Sequence, residues 1–199
     1  MIAIVHYGAG NIRSVSKAFE KAGADVHVTE DPSDVLKADK IVLPGVGAFG
    51  KAALALSERH LMTPIREAVS SGRPFLGICL GMQLLFESSE ESPESRGLGI
   101  FRGRAVRFPA GLKVPHLGWN QVIQTHSSPL WKDVPDRSFF YFAHSYYVRP
   151  EDESIVSGRT EYGVSCTSAI QRDAVFGVQF HPEKSQNCGL KILANFINI

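Results

Sequence analysis

Apolar residues in the first ninety positions fall into two alternating textures. Short unbroken runs at 2–6, 25–29, 40–43 and 74–78 read as strands buried on both faces. Between them lie stretches with helical spacing: 11–22, closed by Gly23, then 51–60, and 65–71 after the start signal Thr63-Pro64. The run 74–78 passes without a linker into a helix-forming run, 80–86. This alternation with short turns predicts an α/β fold, a three-layer doubly wound sheet, mixed but mainly parallel, with helices on both faces. Residues 87–97, ESSEESPESRG, are acidic and turn-forming and read as a solvated loop. From Leu98 onward the texture is β-rich, with runs at 101–108, 120–125, 139–142, 146–149, 163–171 and 175–180 that are expected to extend the same sheet. A last helix over 189–197 places Leu190, Leu193, Ala194 and Ile197 on one face, where it closes the core. No repeat and no linker divides the chain, so 1–199 reads as one domain.

Composition narrows the function classes. A net charge of +1 over 199 residues argues against nucleic acid or an anionic membrane as the main partner. No stretch has the apolar length needed to span a bilayer, and MIAIVHYGAGN lacks the features of a signal peptide, so a cytoplasmic protein is expected. Cys79, Cys166 and Cys188 are odd in number and widely spaced, which indicates reduced thiols and no disulfide framework, metal site or cofactor. The turn GAGNIR imitates a dinucleotide fingerprint, but Arg13 stands where a small residue is needed, leaving an ordinary βα turn. Arg102, Arg104, Arg107 and Lys113 form a basic stretch that reads as a solvated strand face or a partner surface.

Three segments carry candidate chemistry. Cys79 sits at the junction of strand and helix, with Gly77 and Gly81 two residues to either side, the pattern of a nucleophile elbow with sulfur in place of oxygen. A helix N-terminus there favours the thiolate. The loop 44–50, PGVGAFG, contains Gly45 and Gly47, which allow successive N–H groups to face a negative oxygen. Residues 175–185, VFGVQFHPEKS, end a β run with His181, held extended by Pro182, and with Glu183 two residues on. One imidazole nitrogen can meet the thiol while the other is held by the carboxylate. Taken singly, these are a core cysteine, a βα connection and a surface turn. Taken together, they form a nucleophile, an oxyanion loop and an oriented base.

G-x-C-x-G-x-Q at 77–83, P-G-V-G at 44–47 and H-P-E at 181–183 resemble the class I, triad-type glutamine amidotransferases, and the likeness covers essentially the whole chain. The resemblance implies a flavodoxin-like glutaminase fold and a Cys79, His181, Glu183 triad that hydrolyses glutamine through a thioester. It further implies an oxyanion hole from the N–H of Leu80 with Val46 or Gly47, and substrate contacts at Gln83, Glu91 and the backbone of Ser145 and Tyr146. Within the family, PHLGWN at 115–120, YFAHSYY at 141–147 and FHPEKS at 180–185 resemble the glutaminase subunits of imidazole glycerol phosphate synthases in histidine biosynthesis. That likeness implies a cyclase partner, a (β/α)8 barrel forming a heterodimer with the glutaminase and receiving its ammonia, with Trp119, Asn120, Tyr141 and Lys184 at the interface. Other glutaminases, of the pyridoxal phosphate or anthranilate type, remain open at this point. So do a cysteine hydrolase on the same sheet and a non-catalytic docking subunit.

Overall fold

The computed structural model describes every residue except Ala9. The first half follows the βα alternation: β1 (Ile2–Val5), α1 (Ile12–Lys21), β2 (Val26–Thr29), α2 (Pro32–Lys37), β3 (Lys40–Gly45), α3 (Phe49–Glu58), α4 (Met62–Ser70), β4 (Phe75–Cys79) and the single turn α5 (Leu80–Gln83). The second half runs β5 (Phe86–Ser89), β6 (Phe101–Arg107), β7 (His116–Gln121), β8 (Ile123–Gln124), β9 (Phe139–His144), β10 (Tyr146–Pro150), β11 (Val156–Glu161), β12 (Ser165–Arg172), β13 (Val175–Val178) and α6 (Gln186–Ile197).

The main sheet has eight strands in the order β2-β1-β3-β4-β13-β12-β11-β8. Its first five strands are mutually parallel, and β12, β11 and β8 are added antiparallel. Side-chain alternation divides the core into two slabs. Ala3, Val5, Ile41, Leu43 and Phe75 face α2, α3 and α4 through Val35, Leu56 and Ile65. Ile2, Ile4, Val42, Leu76 and Ile78 face α1 and α6 through Phe19, Leu193 and Phe196. The expected three layers are therefore present. Among the described residues, no helix is long and apolar enough to cross a membrane.

Three expectations are corrected. The β-rich half does not simply extend the main sheet: β10-β6-β5 form a second sheet and β7-β9 a two-stranded ribbon. The helix expected over 80–86 stops at Gln83, because the returning chain takes its carbonyls. Leu98 N–H donates to Leu84 O at 2.7 Å, and Ile100 N–H to Leu85 O at 2.9 Å. Phe86 and the next three residues accordingly become β5, and the supposed solvated loop begins as a strand whose Ser89 is buried. The basic stretch is a solvated face, with Arg102, Arg104 and Arg107 pointing outward from β6.

Candidate active site

Cys79 closes β4 in a backbone conformation that L-residues rarely adopt, φ 55 and ψ −110. Such strain persists only where the surroundings enforce it. Here the following turn folds back onto its own strand: a Cβ on Gly77 would lie 2.7 Å from Gly81 O, and one on Gly81 would collide with the Leu43 carbonyl. The register Gly45↔Cys79 then sets the loop after β3 beside the sulfur, and Gly47 within that loop has φ 101. Since α5 is a single turn, it carries little macrodipole.

His181 is brought to the elbow because β13 pairs in parallel with β4, Val178 opposite Ile78. Its backbone is clamped: His181 N–H donates to Tyr141 O at 2.9 Å, and Ser185 Oγ donates to His181 O at 2.6 Å. His181 is extended as expected, but Pro182–Lys184 form a 3-10 turn, and this turn carries the Glu183 carboxylate back to the ring. Nδ1 lies 2.8 Å from Glu183 Oε1. The carboxylate only accepts, so Nδ1 carries hydrogen and Nε2 is left for the sulfur. Burial, the strongest single influence, disfavours a charged His181. Hydrogen bonds to Cys79 and Glu183, with the attraction of their charges, together outweigh it and push the imidazole up to about 10.

A cavity of about 190 Å³ opens over the sulfur, lined by Val46, Gly47, Cys79, Leu80, Gln83, Glu91, Pro115, Ala143, His144, Ser145 and Tyr146. Seven of these lining residues, besides Cys79, are the ones the family resemblance implicates in oxyanion or substrate contacts. The space is large enough for an amino acid. Among the nearby acids, Glu91 alone lines the cavity, and its Oε2 also accepts the Phe49 N–H at the start of α3, at 2.7 Å. Glu90 instead turns to Arg107 N–H and Arg104.

Sequence reasoning passed over Gln179, whose Nε2 lies 3.6 Å from Cys79 Sγ. The available signal was a polar side chain inside an otherwise apolar buried run. It also passed over His116. His144 Nδ1 donates to Tyr146 O at 2.9 Å, and its Nε2 accepts from His116 Nδ1 at 3.0 Å. Both nitrogens of His144 are thereby occupied, so neither is free to act as a base at the sulfur.

The β7-β9 ribbon has two unlike faces. Inward lie His116, Phe140, Phe142 and His144, all buried. Outward lie Leu117 (63% exposed), Trp119 (46%) and Phe139 (53%). Trp119 meets Tyr141 edge-on at 6.1 Å, and Lys184 Nζ stands 5.6 Å from the centre of the Tyr141 ring. Asn120 departs from the expected interface set. As the next residue along a strand, it points away from Trp119, and its amide donates to Glu161 O at 3.0 Å and approaches His116 Nε2 at 3.3 Å.

A family model described as glutamine amidotransferase class-I matches residues 3–199. A Desulfitobacterium hafniense protein named imidazole glycerol phosphate synthase subunit HisH is 51% identical over 196 residues, covering 98% of this chain and 93% of that one. The protein of the same name from Methanothermobacter thermautotrophicus is 50% identical over 199 residues, covering 100% and 98%. The solved structure of PurLQS from Thermotoga maritima is similar in fold, with a TM-score of 0.79 at 21% identity, covering 99% of this chain and 97% of that chain. The chain therefore belongs to the class-I glutamine amidotransferases.

Proposed function

We propose that this chain is the glutaminase subunit of an imidazole glycerol phosphate synthase, hydrolysing glutamine to glutamate and ammonia and passing the ammonia to a cyclase subunit. The observation that carries the reading is the strained Cys79 at the floor of an amino-acid-sized cavity, backed by the buried His181–Glu183 pair.

In this mechanism Cys79 Sγ attacks the side-chain amide carbon of glutamine, and the carbonyl electron pair moves onto oxygen. Leu80, first in its helix, has an N–H without an intrahelical partner. It meets the oxyanion together with an N–H from Val46 or Gly47, each such donor lowering the barrier by about 3 kcal/mol. The C–N bond breaks as His181 Nε2 gives its proton to the nitrogen, so ammonia leaves and a thioester remains. Acylation removes the sulfur charge and hydrogen bond that kept His181 protonated, so the ring now accepts a proton from water. The hydroxide formed adds to the thioester carbon, the C–S bond breaks, and glutamate and the thiolate are released.

Substrate polarity follows from the hydrogen bonds around the cavity. Gln83 Nε2 donates to Tyr146 O at 3.0 Å and to Gln179 Oε1 at 3.1 Å. Only its carbonyl is left to face a ligand, which suits the α-ammonium group of glutamine, with Glu91 alongside as counter-charge. The N–H groups of Ser145 and Tyr146 serve the α-carboxylate.

Ammonia released into neutral water is protonated and lost as a nucleophile, so the product needs a covered route. The outward ribbon face, Leu117, Trp119, Phe139 and Tyr141 with Lys184, is the docking surface for the barrel-shaped cyclase, aromatic anchors flanked by a cation. The 44–50 loop couples the two sites, its glycines letting a peptide turn toward the oxyanion when the partner holds its nucleotide. The chain works in the cytoplasm, where reducing conditions keep Cys79 free.

The test is glutamate release by the chain alone, then with the cyclase and its nucleotide substrate, and with Cys79→Ala as control. Weak activity alone, strong stimulation in the mixture and none in the mutant are expected. Hydrolysis that ignores the cyclase would overturn the subunit assignment, and activity surviving in Cys79→Ala would overturn the nucleophile.

A further inference from the structure

Gln179 lies between β13 and His181, fully buried, and its side-chain amide spans the gap between Gln83 and the Cys79 sulfur. The direction of that amide is dictated from one end. Tyr146 O, a carbonyl, can only accept, so Gln83 turns its Nε2 toward it at 3.0 Å. The same nitrogen donates its second hydrogen to Gln179 Oε1 at 3.1 Å. Gln179 is thereby obliged to present Nε2, its donor end, to Cys79 Sγ at 3.6 Å. Its backbone is equally fixed, with N–H donating to Ser168 O at 2.9 Å.

We infer that Gln179 is a positioning residue for the nucleophile, its amide N–H stabilising the Cys79 thiolate while its Oε1 holds Gln83 as an acceptor toward the substrate. The inference rests on Cys79 being the nucleophile of the proposed glutaminase. It joins substrate recognition to the sulfur through one amide group, so a ligand that pulls on Gln83 is felt at Sγ. Other titratable groups surround the same centre. His181, held by Glu183 behind it, is pushed up in part by Cys79, His144 lines the cavity, and the Tyr7 hydroxyl is buried close by, where the charge of Cys79 reaches it. None of them replaces an uncharged donor whose geometry is indifferent to pH.

Two variants of the full chain separate this role from packing. Gln179→Glu keeps the length and the acceptor for Gln83 but takes the donor from the sulfur, whereas Gln179→Met keeps the length and removes both. Iodoacetamide labelling of Cys79, read on its own peptide by mass spectrometry to exclude Cys166 and Cys188, needs no glutamine. Labelling at pH 7 is expected to slow about tenfold in both variants, the scale of one lost hydrogen bond to a charged group. With glutamine, Gln179→Glu is expected to lose kcat with KM kept, and Gln179→Met to raise KM as well. Gln83→Met, which frees the Gln179 amide to turn, supplies the same labelling test from the other end should position 179 not tolerate change. Parent-like labelling at pH 7 in any of these variants that melts cooperatively overturns the inference. Slowed labelling in a chain whose parent never hydrolyses glutamine would instead remove the glutaminase reading and leave the Gln179–sulfur contact standing.

Discussion

His181 Nδ1 and Glu183 Oε1 stand 2.8 Å apart with their side chains only 3% and 1% exposed. The carboxylate is one of two groups that keep the imidazole protonated up to about 10, so the ring holds its proton through the neutral range. The alkaline limb of kcat/KM for glutamine is therefore expected near pH 10. In Glu183→Gln the limb should move toward neutrality, and the rate should fall by about 100-fold or more, the scale of a displaced general acid–base group. Rates measured from pH 6 to 11 decide this, and an unmoved limb would deny Glu183 its orienting role. The same shift acts on stability: a folded value above the unfolded one stabilises fully below about pH 6.5 and loses that contribution as pH rises through about 10.

Acid should attack a different place. Asn120 donates to His116, His116 to His144 and His144 to the Tyr146 carbonyl, a chain that satisfies both rings only in their neutral forms. Burial holds His116 down to about 4. Burial holds His144 down to about 3, with the nearby charges of His116 and His181 adding to it and the bond to Tyr146 opposing it. The unfolded chain takes up these protons near pH 6.5 while the fold refuses them, so stability falls as pH drops from 6.5 toward 4. The slope is up to about 1.4 kcal/mol per pH unit for each ring. Urea midpoints at pH 7, 6 and 5 should show it, and His116→Gln should remove roughly half.

The sequence was informative about one of these clusters, the His181–Glu183 pair, and silent about the other. The parallel strands were legible because burial on both faces leaves unbroken apolar runs, and the elbow was legible because Gly77 and Gly81 flank a sulfur at a strand-to-helix junction. The helix α2 went unread because its six residues give barely one helical repeat, although Asp31 at its N-cap and Pro32 at its first position were usable signals. The length of α5 was misjudged because competition from Leu98 and Ile100 for its carbonyls is a tertiary event that no local pattern records. The likeness of PHLGWN sets Asn120 beside Trp119 at one interface, whereas a strand sends neighbours to opposite faces and the Asn120 amide bonds to Glu161 and His116. Gln179 looked like one polar residue in an apolar run, and its meaning depends on Gln83, almost a hundred positions away.

The elbow's packing leaves no room for a methyl group. Gly77→Ala would set a Cβ 2.7 Å from Gly81 O and 2.8 Å from Met82 N, both backbone atoms that cannot swing aside. Overpacking of this kind costs about 1–3 kcal/mol, and more against backbone. Thermal melting of Gly77→Ala should therefore fall, and Gly81→Ala, aimed at the Leu43 carbonyl, should fall further. Gly47→Ala offers the contrast. A Cβ there meets nothing within 4 Å, but φ is 101, so the cost is conformational strain of about 1–2 kcal/mol, confined to the loop after β3. Its melting should fall by about 2–8 °C, less than in Gly81→Ala, while kcat drops, and a variant with unaltered kcat would exclude the loop from the reaction.

The outward ribbon face allows the proposed assembly to be tested apart from folding. Trp119 rests on Tyr141, and Tyr141 in turn lies under Lys184, yet Trp119 is 46% exposed and leaves the buried Phe140 and Phe142 face untouched. Trp119→Ala should accordingly leave the melting temperature of the chain nearly unchanged. Against the cyclase, the same change removes a large aromatic anchor from the middle of an apolar patch, a loss of about 2 kcal/mol or more where such a residue is a hot spot. That corresponds to a dissociation constant raised roughly thirtyfold, readable by titration calorimetry of the two purified subunits. Lys184→Met keeps the stem and removes the charge, so it should weaken the complex less and mainly at low salt, since a rim charge acts through steering. If Trp119→Ala binds the cyclase as the parent does, this face is not the docking surface and the covered route for ammonia must open elsewhere.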